Sequence, residues 1–147
     1  MDRKSFIAIC DRKAKLVRAE YSLSQEKMAL ALGLSKKTLV EIEKGRSSLG
    51  WTGSVALCAI FCESETIAST FGGNPADIIL ALAFEGVNYR RQPFIGRRIW
   101  WQTVEETPKG IIQQNILSQH YRLLDREGMR IASSFDLEDL RALEGDV

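Results

Sequence analysis

LSQEKMALALGLSKKTLVEIEKGR, residues 23–46, decides how the first half of this chain folds. Apolar or small residues fall at Met28, Ala29, Leu32, Leu34, Leu39 and Ile42. That spacing predicts two short helices that cross steeply and share one small core. Ser24 and Ser35 stand where N-caps belong, and Glu26 puts negative charge in a first turn, where it suits the helix dipole. Gly33 is expected to end the first of these helices with a positive φ, and Gly45 to stop the second. Lys36, Lys37, Val40, Glu41 and Lys44 are left on the outer face of the second helix. A polar, basic helix held proud of a compact scaffold has the shape that enters the DNA major groove.

Upstream, residues 5–19 place Phe6, Ile9, Cys10, Lys13, Leu16 and Val17 at helical spacing, which predicts a first amphipathic helix. Downstream, residues 46–54 read as a loop or a helix start. VALCAIF (55–61) reads as a fourth helix covering the first three, with Trp51 pinned beneath it. ESETIAST is weakly helical, and Phe71-Gly72-Gly73 breaks the chain. Asn74-Pro75-x-Asp77 then opens a further helix that ends near Gly86. After residue 90 the composition changes. GRRIWWQTVEE, IIQQNILSQHYRLL and MRIASSF read as three strands, joined by turns at Thr107-Pro108-Lys109-Gly110 and Asp125-Arg126-Glu127-Gly128. Residues 111–117 fit either a strand or a helix start. Asp136-Leu137-Glu138-Asp139 begins a short terminal helix. The expected class is α+β. A helical unit spans about residues 1–88, and residues 89–147 form a small antiparallel three-stranded sheet with a short C-terminal helix.

Net charge is only +1, but its distribution is uneven. Residues 1–50 carry 11 Lys and Arg against 6 Asp and Glu, whereas residues 72–147 carry 9 against 11. Basic charge thus gathers around the two-helix segment, as expected if one half touches phosphates and the other does not. No run of 18 apolar residues is present, and the charged start MDRKSFIAICDRKAKL lacks a signal-peptide apolar region, so a cytoplasmic protein without a membrane anchor is expected. Three cysteines, Cys10, Cys58 and Cys62, with a single histidine, His120, predict neither a disulfide framework nor a metal site. The cysteines read as small packed hydrophobes.

The stretch from about Lys15 to Phe61 resembles the Cro/repressor-type helix-turn-helix regulators, the Xre-like family. The resemblance rests on Arg18, Leu23-Ser24-Gln25-Glu26, Met28-Ala29, Leu32-Gly33-Leu34-Ser35, Leu39, Ile42-Glu43 and Gly45. It implies a bundle of about five helices that binds double-stranded DNA, usually as a homodimer. It assigns base-edge contacts to Lys36, Lys37, Val40 and Glu41. It assigns phosphate contacts to Gln25, Ser35, Thr38, Lys44 and Arg46, and an internal ion pair to Arg18 and Glu43. Leu49 stands where the family often has proline, and Gly53 and Ser54 weaken the usual start of the fourth helix.

Residues 90–147 carry no recognised pattern. Trp100-Trp101 in a strand would point to opposite faces, one of them core and the other covered by a helix, a second copy or a ligand. Arg90-Arg91 and Arg97-Arg98 read as a solvated linker or as extra phosphate contacts, and His120 as an ordinary strand residue. No enzyme constellation, phosphate-cradling loop or cofactor motif is found. The expectation is a sequence-specific transcriptional regulator, a repressor acting on an inverted-repeat operator as a homodimer. Two alternatives stand beside it. One is an antitoxin-like adaptor whose sheet holds a partner protein; the other is a regulator sensing a small molecule through the sheet and its Trp pair.

Overall fold

A computed structural model of the protein describes residues 1–85 and 100–145. The chain forms two units, residues 1–90 and 91–147, and its class is α+β. Arg90-Arg91, Arg97-Arg98 and the expected boundary near residue 88 lie outside the described residues. The helix expected to end near Gly86 ends earlier, at Ala83, where Phe84 caps it and Glu85 turns to φ +51°.

The described part of the first unit contains α1 (Arg3–Glu20), α2 (Gln25–Leu32), α3 (Lys36–Glu43), α4 (Gly50–Ile60), α5 (Glu65–Phe71) and α6 (Ala76–Ala83), six helices where about five were expected. Four of them start on a side-chain cap, which satisfies an amide that the helix itself cannot pair. Asp2 accepts from the Ser5 amide at 2.7 Å, Ser24 from Lys27 at 3.2 Å, Ser35 from Thr38 at 3.0 Å and Ser64 from Ile67 at 3.2 Å. The core gathers Phe6, Cys10, Ala14 and Val17 from α1, Met28, Ala29 and Leu32 from α2, Leu39 and Ile42 from α3, and Leu57 and Cys58 from α4. Its aromatic end is Phe6, whose ring lies 5.8 Å from Trp51 and 5.3 Å from Phe71.

Two expectations for this unit are corrected. Leu16 is exposed, at 52 %, and the α1 stripe runs through Ala14 instead. Positions 6, 10, 14 and 17 lie on one helical face, and 16 falls about 100° away from 17. The fourth helix starts at Gly50 rather than at Val55, so Trp51 belongs to α4 and does not lie beneath it. Gly53 and Ser54 fit the helix because both are buried there. A Cβ on Gly53 would stand 3.1 Å from Leu49 Cβ, and the Ser54 hydroxyl donates to the Gly50 carbonyl at 2.7 Å. Leu49 donates its backbone N–H to Asp11 Oδ1 at 2.7 Å, a bond that proline could not make.

The second unit is an antiparallel sheet in the order β1-β2-β3-β4, with strands Trp101–Glu106, Ile111–Asn115, Tyr121–Leu124 and Arg130–Ser134, followed by α7 (Leu137–Gly145). Four strands replace the expected three, because residues 111–124 fold back on themselves. Asn115 makes the turn: its Oδ1 accepts from the amides of Leu117 and Ser118, at 3.0 and 3.1 Å, and Gln119 adopts φ +61°. The segment 111–117 is therefore strand to Asn115 and turn beyond it. α7 packs on β3 and β4, where Leu140 meets buried Ile112 and Leu123 beside Tyr121, Ala132 and Leu137. Among the described residues no single helix is long and apolar enough to cross a membrane.

Candidate nucleic-acid interface

α2 and α3 are joined by a turn whose geometry only a few residue types tolerate. Gly33 takes φ +70°, and the turn closes as the Leu34 amide donates to the Ala29 carbonyl at 2.8 Å. Leu39 and Ile42 are 0 % and 2 % exposed, so α3 is anchored along its inner side. Because 36, 37, 40, 41 and 44 fall between these anchors at helical spacing, they take the other side. Lys36, Lys37 and Lys44 are exposed, while Val40 and Glu41 are half-buried.

Arg18, Gln25 and Glu43 lock the three helices together. Arg18 donates from Nε to Glu43 Oε1 at 2.6 Å and from Nη2 to Oε2 at 3.0 Å, and from Nη1 to the Leu23 carbonyl at 3.1 Å. Gln25 Nε2 adds a third donor to Glu43 Oε2 at 3.0 Å. Burial alone would push the Glu43 carboxyl up. The hydrogen bonds from Arg18 and Gln25, with the Arg18 charge, outweigh burial and hold it below the ordinary glutamate value. Arg18 is the end of this network on α1, so α3 is braced at its C-terminal end by a charge from a different helix.

The remaining residues assigned to DNA differ in how free they are. Lys36 is ion-paired with Glu26 of α2, and its hydrogen bond draws the Glu26 carboxyl below its ordinary value. Arg46 Nε lies 3.1 Å from Glu41 Oε2. Both pairs are exposed, a class worth about 0–1 kcal/mol, so contacts to phosphate or base could replace them. Ser35 Oγ and Thr38 Oγ1 are 2.8 Å apart and cap the helix between them. Gln25 has one Nε2 hydrogen left for an outside acceptor, since the other serves Glu43. Among the described residues Lys37 and Lys44 have no ion-pair partner.

Sequence reasoning missed two cations. Arg12 and Lys15 of α1 line a groove together with Ile42, Lys44 and Gly45 at the end of α3. The groove also holds two carboxylates, but both are spent internally: Asp11 caps the Leu49 amide and Glu43 binds Arg18 and Gln25. Three cations thus border a groove whose two carboxylates are hydrogen-bonded inward, and the Lys15 charge helps to lower the Glu43 carboxyl. The i, i+3 spacing of Arg12 and Lys15 was the available signal, because it sets both on one face of α1.

Cys10 and Cys58 are buried and Cys62 is exposed beyond the end of α4. Among the described residues no group of three or more His, Cys, Asp or Glu is placed to hold a metal ion. Compared with protein families, characterised proteins and solved structures, the chain matches none.

Proposed function

We propose that this protein is a sequence-specific DNA-binding transcriptional regulator, a repressor that binds an inverted repeat as a homodimer through α3. The observation that carries the proposal is the outer face of α3: Lys36, Lys37, Val40, Glu41 and Lys44 stand on a helix braced from behind by Leu39, Ile42 and the Arg18–Glu43 pair. Rigid presentation matters because a bidentate contact to a base edge discriminates by about 1–3 kcal/mol only when the side chain is held in register. Lysine donates to guanine O6 and N7, Glu41 accepts from cytosine N4, and Val40 meets a thymine methyl. Gln25, Ser35, Thr38, Lys44 and Arg46 serve the backbone, and Arg12 and Lys15 extend that set along the α1 groove. Two α3 helices about 34 Å apart would meet successive major grooves.

Lys37 and Arg46 separate the two kinds of contact. Lys37→Ala relaxes sequence preference with little change in the salt slope, whereas Arg46→Ala weakens binding to every sequence alike. Replacing Arg12 and Lys15 together by alanine lowers the slope of log K against log salt by about 2. Binding measured across a salt series checks all three variants. Wild-type behaviour in each of them would remove these residues from the interface.

A further inference from the structure

The second unit has a sheet face that α7 does not cover. Strand pleating sends Ile112, Leu123 and Ala132 toward α7, so Gln113, Arg122 and Ser133, which are cross-strand partners of one another, point the opposite way. Trp101, His120 and Phe135 occupy the next row on that face. The His120 ring lies 4.9 Å from Trp101, edge-on, and 5.7 Å from Phe135. Arg122 lies over Trp101 with its guanidinium carbon 3.8 Å from the ring centroid.

Arg122 is aimed by Gln113, whose Oε1 accepts from Nε at 3.1 Å and from Nη2 at 2.8 Å. Those two bonds leave three N–H donors: both hydrogens of Nη1 and one of Nη2. They include the outer edge of the guanidinium, where two parallel hydrogens match a carboxylate end-on. Among the described residues Arg122 has no carboxylate partner. It is half-buried, and burial draws its pKa below the ordinary arginine value, as expected of a cation with no neutralising neighbour. Glu105 and Glu138 are ion-paired with Arg141, and Asp139 accepts from the Ser134 hydroxyl.

This arrangement argues against a second copy of the same face as its cover. Two sheets stacked with their Trp101–His120 rows in register would bring two Arg122 guanidinium groups together, away from Glu106, which the register puts on the same face but at its other end, opposite Ile111. The occupant has to bring the negative charge. It also has to suit an aromatic surround, since Phe135 is 77 % exposed beside the His120 ring.

The geometry points to a binding site for a small planar aromatic carboxylate on the sheet face, with its carboxylate on the outer edge of Arg122 and its ring against His120 and Phe135. Ser118 Oγ lies 2.5 Å from His120 Nδ1, a hydrogen bond that fixes the imidazole beside Trp101 and Phe135. The proposal stands on the sheet face alone and does not rest on the DNA reading, and it gives the sensing alternative a ligand class.

Because His120 is the single histidine of the chain, its ring proton resonances report on the site without ambiguity. The experiment titrates the full-length protein with benzoate by NMR, with benzamide as the neutral counterpart and acetate as the non-aromatic anion. The expected result is a saturable shift of the His120 resonances with a Kd of about 1 mM or tighter. Benzamide and acetate should each bind at least tenfold more weakly. Arg122→Gln should weaken benzoate binding at least tenfold, and Phe135→Ala, at an exposed position, should weaken it without disturbing the fold. An absent shift at about ten times that concentration overturns the proposal. So does benzoate binding undiminished in both variants, and so does acetate binding as tightly as benzoate.

Discussion

Arg18 and Glu43 offer the most quantitative test of how α3 is held. Their side chains are 18 % and 4 % exposed, and the carboxylate takes three donors. Replacing Arg18 by methionine keeps the volume but leaves Glu43 with Gln25 alone. Breaking a buried pair from one side costs about 3–5 kcal/mol, because the other charge is left behind. Arg18 is partly exposed and Gln25 still donates, so the lower end, about 3 kcal/mol, applies. In a unit of this size that lowers Tm by roughly 12–24 °C. Replacing both residues by methionine removes the stranded charge, and the double variant should lose only about 1 kcal/mol. The assay is urea unfolding followed by helix circular dichroism, which reports mainly on the helical unit.

A pH series sharpens this test. In the wild type the Glu43 carboxyl titrates below its ordinary value of 4.5, so its contribution is present above that pH and falls away as pH drops through the lowered value. In Arg18→Met the main counterweight to burial is gone, and the carboxyl titrates above its ordinary value. Protonation then relieves the variant, and the gap to wild type narrows from pH 7 to pH 4. A double variant less stable than Arg18→Met, or a gap that widens with acid, would refute the buried-charge reasoning.

Three further outcomes follow from local geometry. Glu20 accepts from Ser64 Oγ and from the amides of Glu65 and Thr66, at 2.6, 2.7 and 3.2 Å, and these bonds hold its carboxyl at about 2. Its contribution is complete above pH 4.5 and lost as pH falls toward 2, so Glu20→Gln should flatten the acid limb of an unfolding curve across that window. Gly33→Ala meets no atom within 4 Å but must hold φ +70°, so chemical denaturation should show a loss of about 1–2 kcal/mol from backbone strain alone. Gly110→Ala would set its Cβ 1.8 Å from the Leu124 carbonyl oxygen, so the β1–β2 turn cannot form as it stands; sheet amide resonances should collapse while helical ones persist.

The helical part of this fold could be read from the chain because its signals are local. Ser24, Gly33 and Ser35 act within one turn of where they stand, and periodicity alone sorts Leu39 and Ile42 from Lys36 and Lys37. The start of α4 was missed because its logic is tertiary: Gly53 looks like a breaker until Leu49 is seen packed against it, and Leu49 itself is held by Asp11 from 38 positions away. The β2–β3 turn was missed because it has neither Gly nor Pro; Asn115 and the left-handed Gln119 supply the turn, and a run of Ile, Gln and Leu hides them. Within the candidate interface the outward residues were foreseen from spacing, but their partners were not. Nothing local pairs Glu26 with Lys36 or Arg12 with the end of α3, since those meetings depend on how the helices cross.

Whether the outer face of α3 reads duplex DNA is decided by selecting bound fragments from a random duplex pool with the purified protein at about 50 mM salt. The expected result is recovery of an inverted repeat with half-sites about 34 Å apart, lost when Lys37 is replaced by alanine. Failure of the protein to retain any duplex in that dilute buffer would contradict it.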